Sequence, residues 1–321
     1  MTSDGWSMSF YKRKSSVLHG STHAYAAPIV EIRHKIRVLR QTFEELTTSA
    51  TLDPITRALR IPIHPTLSTS GSAPDIEIST VYFRAGYTPS DYPTPTHYAT
   101  RFTIERSRAI KCPTIPLQLA GGKKVQEFLS HPGVVEQFVG ETDAKELRNT
   151  WMRMWSLDDL NPSIPLSNSG TSRSLSANEP RGTTLARDLA SSLVLKPQRE
   201  GGGNNVYKHD IPTFLETLPE QERAAWIAME LIVPPRGIGS YLVRAGTTGP
   251  ESNGDGKGRK TVRAETVSEL GIFGWSLFSR ETGVHERGDV GWLVRTKGIE
   301  SDEGGVAAGF SVLDSVVLVD G

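Results

Sequence analysis

The chain has 321 residues, of which 36 are Lys or Arg and 36 are Asp or Glu, with 37% hydrophobic side chains. The even charge balance removes any net pull toward nucleic acid or an anionic membrane, and the length suffices for a sizeable core spread over two lobes. No apolar run approaches the roughly 18 residues of a membrane span, and the single cysteine, Cys112, excludes an internal disulfide framework and suits a reducing, cytoplasmic setting.

Residues 1–28 show no sustained helical or strand period. They are basic, Ser-rich and acid-poor, a composition shared with transit peptides, but an unstructured tail is the expectation. His19 and His23 fall at a metal-like spacing with no cysteine pair to complete a site, so packing or solvent exposure is preferred for them. From Glu31 the pattern changes. "KIRVLRQTF" predicts a strand leaving a basic helix end, and "EISTVYFR" (Glu77 to Arg84) predicts a second, buried strand. The polar "HPTLSTSGSAPD" between them predicts a surface loop.

Helices are predicted over His97 to Arg108, Lys123 to Ser130 and Asp143 to Trp155. The last carries Leu147, Trp151 and Met154 on one face, expected in the core. The Ser-, Pro- and Asn-rich stretch from Leu160 to Gly182 predicts a flexible connection. A short helix (Thr184 to Ser191) and a strand (Ser192 to Lys196) then lead into "LKPQREGGGNN". Beyond it come a helix (Ile211 to Leu218), the strand "WIAMELIV", and the strands "GSYLVRAG" and "KTVRAETVSELGIFGWSLFSR", mostly antiparallel and separated by the polar turn "GTTGPESNGDGKGRK". One more strand and a second glycine-containing turn close the chain. Clustered strands with separate helices argue for an α+β fold.

The glycine run admits two readings, a plain flexible turn or a phosphate-wrapping loop. Glycines let backbone N–H groups approach an oligophosphate without Cβ interference. Lys196 and Arg199 add positive charge, Glu200 offers oxygen to a hard cation such as Mg2+, and Asn204 and Asn205 offer further polar contacts. There is no G-x-x-x-x-G-K-[ST] motif, no dinucleotide-binding G-x-G-x-x-G and no protein-kinase signature. Cys112 has no activating base pattern around it and is taken as packing.

"AIKCP…QLAGGKKVQ", "LKPQREGGGNN", "SELGIFG" and "LVRTKGIESDEGGVAAGFSVLD", in the family's order, resemble eukaryotic-type glutathione synthetases of the ATP-grasp superfamily, a match covering about residue 30 to the C-terminus. The resemblance implies an α/β substrate-binding lobe (29–120) and an ATP-grasp lobe with an antiparallel sheet and glycine-rich lid (121–321, with a linker over 158–183). It implies ATP-driven ligation of γ-glutamylcysteine to glycine through an acyl phosphate, with Mg2+, in a cytoplasmic homodimer. By motif match, Lys123 and Lys196 would hold ATP. The lid would be Pro197, Gln198, Arg199, Glu200, Gly201, Gly202, Gly203, Asn204, Asn205 and Val206, with Glu200 a Mg2+ ligand and Tyr207 touching nucleotide. Met229, Glu230, Leu231 and Ile232 would form the strand whose backbone reads adenine. Glu269 would contact ATP, together with Lys297 and Glu303. Arg295 would bind substrate carboxylate, and Arg84, Tyr87, Val306 and Ala307 would line the substrate site. Arg295 and Lys297 are the residues implied in catalysis.

Two positions depart from the family pattern, Ala85 and Glu303, where Asp is usual. Proteins of the family also extend well upstream of the segment matching Glu31, with further Mg2+ and substrate contacts there. Residues 1–28 offer no counterpart, so an N-terminally truncated product is expected, with a non-catalytic nucleotide-binding or dimerising remnant as the alternative to an active ligase.

Overall fold

A computed structural model describes residues 7–11, 31–62, 75–83, 85–162, 179–198, 204–234, 239–244, 260–279, 281–302 and 311–316. It divides into two compact units, Met1–Leu129 with Gln198–Glu200, and Ser130–Pro197 with Gly201–Gly321. Among the described residues no helix is long and apolar enough to cross a membrane.

The first unit opens with β1 (Ser7–Tyr11), a strand inside the stretch expected to be an unstructured tail. Five residues are too few to show a period, and β1 is specified by its neighbours instead. It pairs in parallel with β2 (Arg37–Gln41) on one edge. Next comes α1 (Phe43–Ser49), started by a capping box in which the Glu45 N–H donates to Thr42 Oγ1 (3.2 Å) and the Thr42 N–H donates to Glu45 Oε2 (2.6 Å). β3 (Thr51–Leu52), β4 (Leu59–Pro62) and β5 (Asp75–Ile78) form an antiparallel sheet. The predicted single strand over Glu77 to Arg84 breaks at Ser79, because the run serves two sheets. β5 pairs with β4, whereas β6 (Thr80–Tyr82) pairs in parallel with β1 and with the later β7. α2 (Pro95–Arg106), β7 (Ile110–Cys112), α3 (Ile115–Ala120) and α4 (Lys123–Ser130) complete the unit. The parallel sheet runs β2-β1-β6-β7. Phe43, Leu46, Ile61, Ile78, Val81, Phe83 and Ile104 pack into one core. The Arg101 side chain, only 4% exposed, stacks on Phe83 and pairs with Glu105 at 3.1 Å.

The second unit begins with α5 (Glu141–Asn149) and β8 (Met154–Ser156). The helix predicted to run to Trp155 therefore stops at Asn149, and Leu147, expected in the core, is exposed. Trp155 takes the core position instead, from a strand, with its Nε1–H donating to Gly182 O at 2.9 Å. α6 (Arg181–Asp188), β9 (Leu193–Pro197), β10 (Val206–Tyr207), α7 (Asp210–Thr217) and β11 (Trp226–Glu230) follow. They build an antiparallel sheet in the order β10-β9-β11-β8. Ile211, Leu215 and Leu218, spaced at i, i+4 and i+7, face the same core as Trp155, Leu193 and Leu195.

A second antiparallel sheet contains β12 (Gly239–Arg244), β13 (Lys260–Ser279), β14 (Gly283–Gly298) and β15 (Val312–Asp314). β12 covers β13 only as far as Glu265, and β15 covers β14 only over Val294–Thr296. Past these limits the β13–β14 ribbon has no described strand beside it, which is why Ile272, Trp275, Val290 and Trp292 lie exposed on it. The predicted loops over 64–75 and 246–260 fall almost wholly outside the described residues, as does most of the connection over 160–182.

Two outcomes test this packing. Alanine normally favours a helix over glycine by about 1 kcal/mol. A Cβ on Gly182 in α6, however, would meet Ser156 O at 2.2 Å and Leu157 O at 3.1 Å. Gly182→Ala is therefore expected to destabilise by about 1–3 kcal/mol in urea unfolding, and an unchanged or raised midpoint would contradict the contact. The Arg148 guanidinium, hydrogen-bonded to Glu136, holds that carboxyl at about 2 against an ordinary 4.5. A depressed carboxyl stabilises the fold above its unfolded pKa and loses that contribution as pH falls through the folded one. Glu136→Gln should thus be less stable than the native chain at pH 7, and the gap should close between pH 4.5 and about 2. A gap that does not narrow over that range would rule the pairing out as its cause.

Candidate functional site

The glycine-rich motif sits where an antiparallel hairpin leaves the second unit's first sheet. β9 is apolar and buried at Leu193, Val194 and Leu195, and it is flanked by β10 and β11. Lys196 follows as the first half-buried cation at the strand end, opposite Ile227, and Pro197 ends the strand opposite Trp226. The chain returns as β10 with Val206 against Leu195 and Tyr207 against Val194. Residues 198–205 therefore link two antiparallel neighbours, β9 and β10. On the other side, β11 carries Met229 and Glu230. The Glu230 carboxylate is gripped by the Arg153 side chain and takes the Arg153 N–H at 3.3 Å, which holds its pKa below the usual carboxylate range. The Leu231 N–H donates to Ser192 O at 2.9 Å. Ile232 is the first residue clear of the sheet, at 71% exposure.

The second sheet contributes cations by strand alternation. Glu269 of β13 lies opposite Arg295 of β14, and their side chains form an ion pair. Lys297, two residues on, shares that face. Thr296 points the other way and is buried, bonding Ser268 Oγ (2.8 Å) and donating to Asp314 (2.7 Å). Just past β14, the Asp302 carbonyl accepts from Lys297 Nζ at 3.1 Å and from Tyr207 Oη at 3.3 Å. Asn205 Nδ2 donates to the same Tyr207 oxygen at 3.1 Å. The hairpin's return strand and the end of β14 thus meet at three of the expected residues, Asn205, Tyr207 and Lys297. An open hollow of about 440 Å3 lies beside Asn205 and Tyr207, lined also by Asp210, Thr213, Phe214 and Thr217.

In the first unit, Tyr87 belongs to a tightly held loop. Asp91 Oδ2 accepts the N–H groups of Gly86 (3.2 Å), Tyr87 (3.0 Å) and Thr88 (3.2 Å). Gly86 has φ +86, and a Cβ there would stand 2.7 Å from Tyr92 Oη, so the turn requires glycine. Burial pushes the Tyr92 phenol up, which keeps it a donor to Gly86 O at 3.2 Å. Ala85, where the family pattern has Asp, is buried in the apolar core. Lys123 opens α4 and its Nζ donates to Gln126 Oε1 at 2.8 Å. Gln198, from the lid motif, accepts the Lys124 N–H on its Oε1 at 2.8 Å.

Arg84, Arg199, Glu200, Gly201, Gly202, Gly203, Glu303, Val306 and Ala307 lie outside the described residues. Among the described residues no three His, Cys, Asp or Glu side chains gather in a way that holds a metal ion. Sequence reasoning missed Asp91, Arg153, Lys208 and Asp302. Asp91 had a signal, since "TPSD" carries the Thr-x-x-acid spacing of a capping box. Lys208 and Asp302 had none, because they are remote in sequence.

The model of the eukaryotic glutathione synthase ATP-binding domain matches residues 6–318, so the likeness takes in β1 as well as the segment from residue 30. The chain is 38% identical to glutathione synthetase from Homo sapiens over 88% of this chain and 51% of that protein. It is 36% identical to the chloroplastic glutathione synthetase of Arabidopsis thaliana over 91% of this chain and 46% of that protein. It therefore spans about half the length of these curated relatives. A solved glutathione synthetase-like effector from Globodera pallida aligns over 99% of this chain and 57% of its own, with a TM-score of 0.60 at 20% identity, a likeness of fold. With the family model matched over residues 6–318, nearly the whole chain, this protein belongs to the eukaryotic glutathione synthase family.

Proposed function

We propose that the chain carries the ATP-binding machinery of a ligase that joins γ-glutamylcysteine to glycine, giving glutathione, ADP and phosphate. The observation that carries this reading is the meeting of Asn205, Tyr207 and Lys297 around Asp302, which joins the glycine-rich hairpin to the cationic strand. In this reading the cysteinyl carboxylate attacks the γ-phosphorus, ADP leaves, and the glycine amine then displaces phosphate from the acyl phosphate. Negative charge gathers on phosphoryl oxygens in both steps, so fixed cations aimed there lower the barrier. Lys297 and Lys196 are assigned to the phosphates, and Arg295 to the substrate carboxylate, with Glu269 orienting its guanidinium. The backbone beyond Leu231 is assigned to adenine, since the Leu231 N–H is already committed to Ser192.

The lid, Pro197 to Val206, would exclude water from the acyl phosphate. Arg84, Tyr87, Val306 and Ala307 are assigned to the peptide substrate, and Lys123, Glu269 and Glu303 to ATP. Mg2+ would accompany the nucleotide and offset its charge, with Glu200 as the protein ligand the family pattern supplies. A homodimer in a reducing cytoplasm, where free Cys112 stays a thiol, completes the proposal.

The test supplies the full chain with Mg-ATP, γ-glutamylcysteine and glycine and follows ADP and glutathione. Equal amounts of both are expected, and Lys297→Ala should lower kcat/KM by about 100-fold or more. Nucleotide binding with no turnover would favour a non-catalytic nucleotide-binding module. Absence of nucleotide binding would overturn both readings.

A further inference from the structure

We propose that Lys208 and Asp302 are positioning residues that place the Lys297 ammonium and the Tyr207 phenol for the nucleotide. The inference rests on the assignment of Lys297 and Tyr207 to ATP made above. Asp302 is a junction of three groups. Its carbonyl accepts from Lys297 Nζ (3.1 Å) and Tyr207 Oη (3.3 Å), while its carboxylate pairs with Lys208 Nζ at 3.0 Å. A main-chain oxygen cannot be tuned by substitution. What can set its location is the side chain of the same residue, and that side chain is held by Lys208.

Lys208 is mounted to serve as an anchor. Its N–H donates to Leu193 O at 3.0 Å, and its carbonyl accepts the Ile211 N–H at 3.1 Å. The residue is thereby fixed between β9 and the start of α7. Its φ is +44, in the left-handed region that favours glycine and disfavours a residue with a Cβ. A lysine at a position better suited to glycine needs a reason in its side chain, and the Asp302 pair is the contact that glycine would lack. The two side chains are 42% and 46% exposed. Such a pair adds little to stability and is screened by salt, so its effect is one of placement. Asn205 extends the same line by donating to Tyr207 Oη at 3.1 Å. Tyr207 donates onward to Asp302, giving a chain of polar contacts that ends on the oxygen holding Lys297.

The test uses Lys208→Glu, Asp302→Lys and the double exchange, with two readouts on the full chain. The first is the rate at which an amine-acylating reagent labels Lys297 without nucleotide, read by mass spectrometry. The second is Mg-ATP affinity by calorimetry at low and high salt. Each single reversal is expected to raise Lys297 labelling several-fold and weaken Mg-ATP binding about 3- to 10-fold, and the double exchange should restore both to within about twofold. Lys208→Gly should weaken binding without lowering the unfolding midpoint, because it relieves the left-handed backbone. If the native chain binds Mg-ATP and the single reversals change neither readout, the positioning role is wrong. The same holds if both singles weaken binding but the double exchange does not recover. If the native chain binds no Mg-ATP, the nucleotide assignment of Lys297 and Tyr207 fails, and this role fails with it.

Discussion

The arrangement of the second unit depends on the pairing of β9 along both of its edges. Leu193, Val194 and Leu195 are buried, so the strand presents no polar side chain until Lys196. Its first residues also fix what lies beside it. Ser192 O takes the Leu231 N–H and ends the ladder with β11, while Leu193 O takes the Lys208 N–H and sets the exit of β10. The start of the glycine-rich motif, the end of β11 and the backbone of Lys208 are therefore all referenced to one buried strand. A shift of β9 by one residue would carry Lys196 into a buried position, and the register is held by the packing of Trp155, Ile211 and Leu215 against Leu193 and Leu195.

The cations of the candidate site are held before any ligand arrives. Arg295 pairs with Glu269, Lys297 donates to the Asp302 carbonyl, and Lys208 pairs with the Asp302 carboxylate. Holding donors in place costs entropy during folding rather than during the reaction, which is the physical content of preorganisation. It also explains how a chain with no net charge assembles a cationic face. Acidic residues sit beside the cations and orient them, leaving the total balanced.

The first unit shows the same economy in another form. A single carboxylate, Asp91, collects three consecutive N–H groups of the loop that carries Tyr87, and Gly86 allows the left-handed turn this needs. The spacing Thr88-x-x-Asp91 carried a signal for that device which the sequence reasoning missed. Legible in the sequence were α4, whose bounds follow directly from the pattern of Lys123–Ser130, and the long antiparallel strands β13 and β14. Less legible were segments whose fate depends on partners. The heptad-like Leu147, Trp151 and Met154 suggested a longer helix, yet burial of Trp155 against Gly182 draws the chain into β8 after Asn149. One apolar run became two strands because Ser79 lies between two sheets, and β1 exists because β2 and β6 leave an edge on either side of it.

By itself, the sequence determined what is local: the α+β class, the periods of the helices and long strands, the glycine run following a buried strand, and the motifs that place the chain in its family. Such features depend on residues within a few positions of one another, where spacing and backbone preference suffice. Tertiary structure alone decided which distant residues share a contact. Glu230 with Arg153, Tyr207 with Asp302 and Lys208 with Asp302 are separated by tens of residues and are joined only when separate strands and sheets pack. Their geometry follows from strand register and core packing, which no short window of sequence contains.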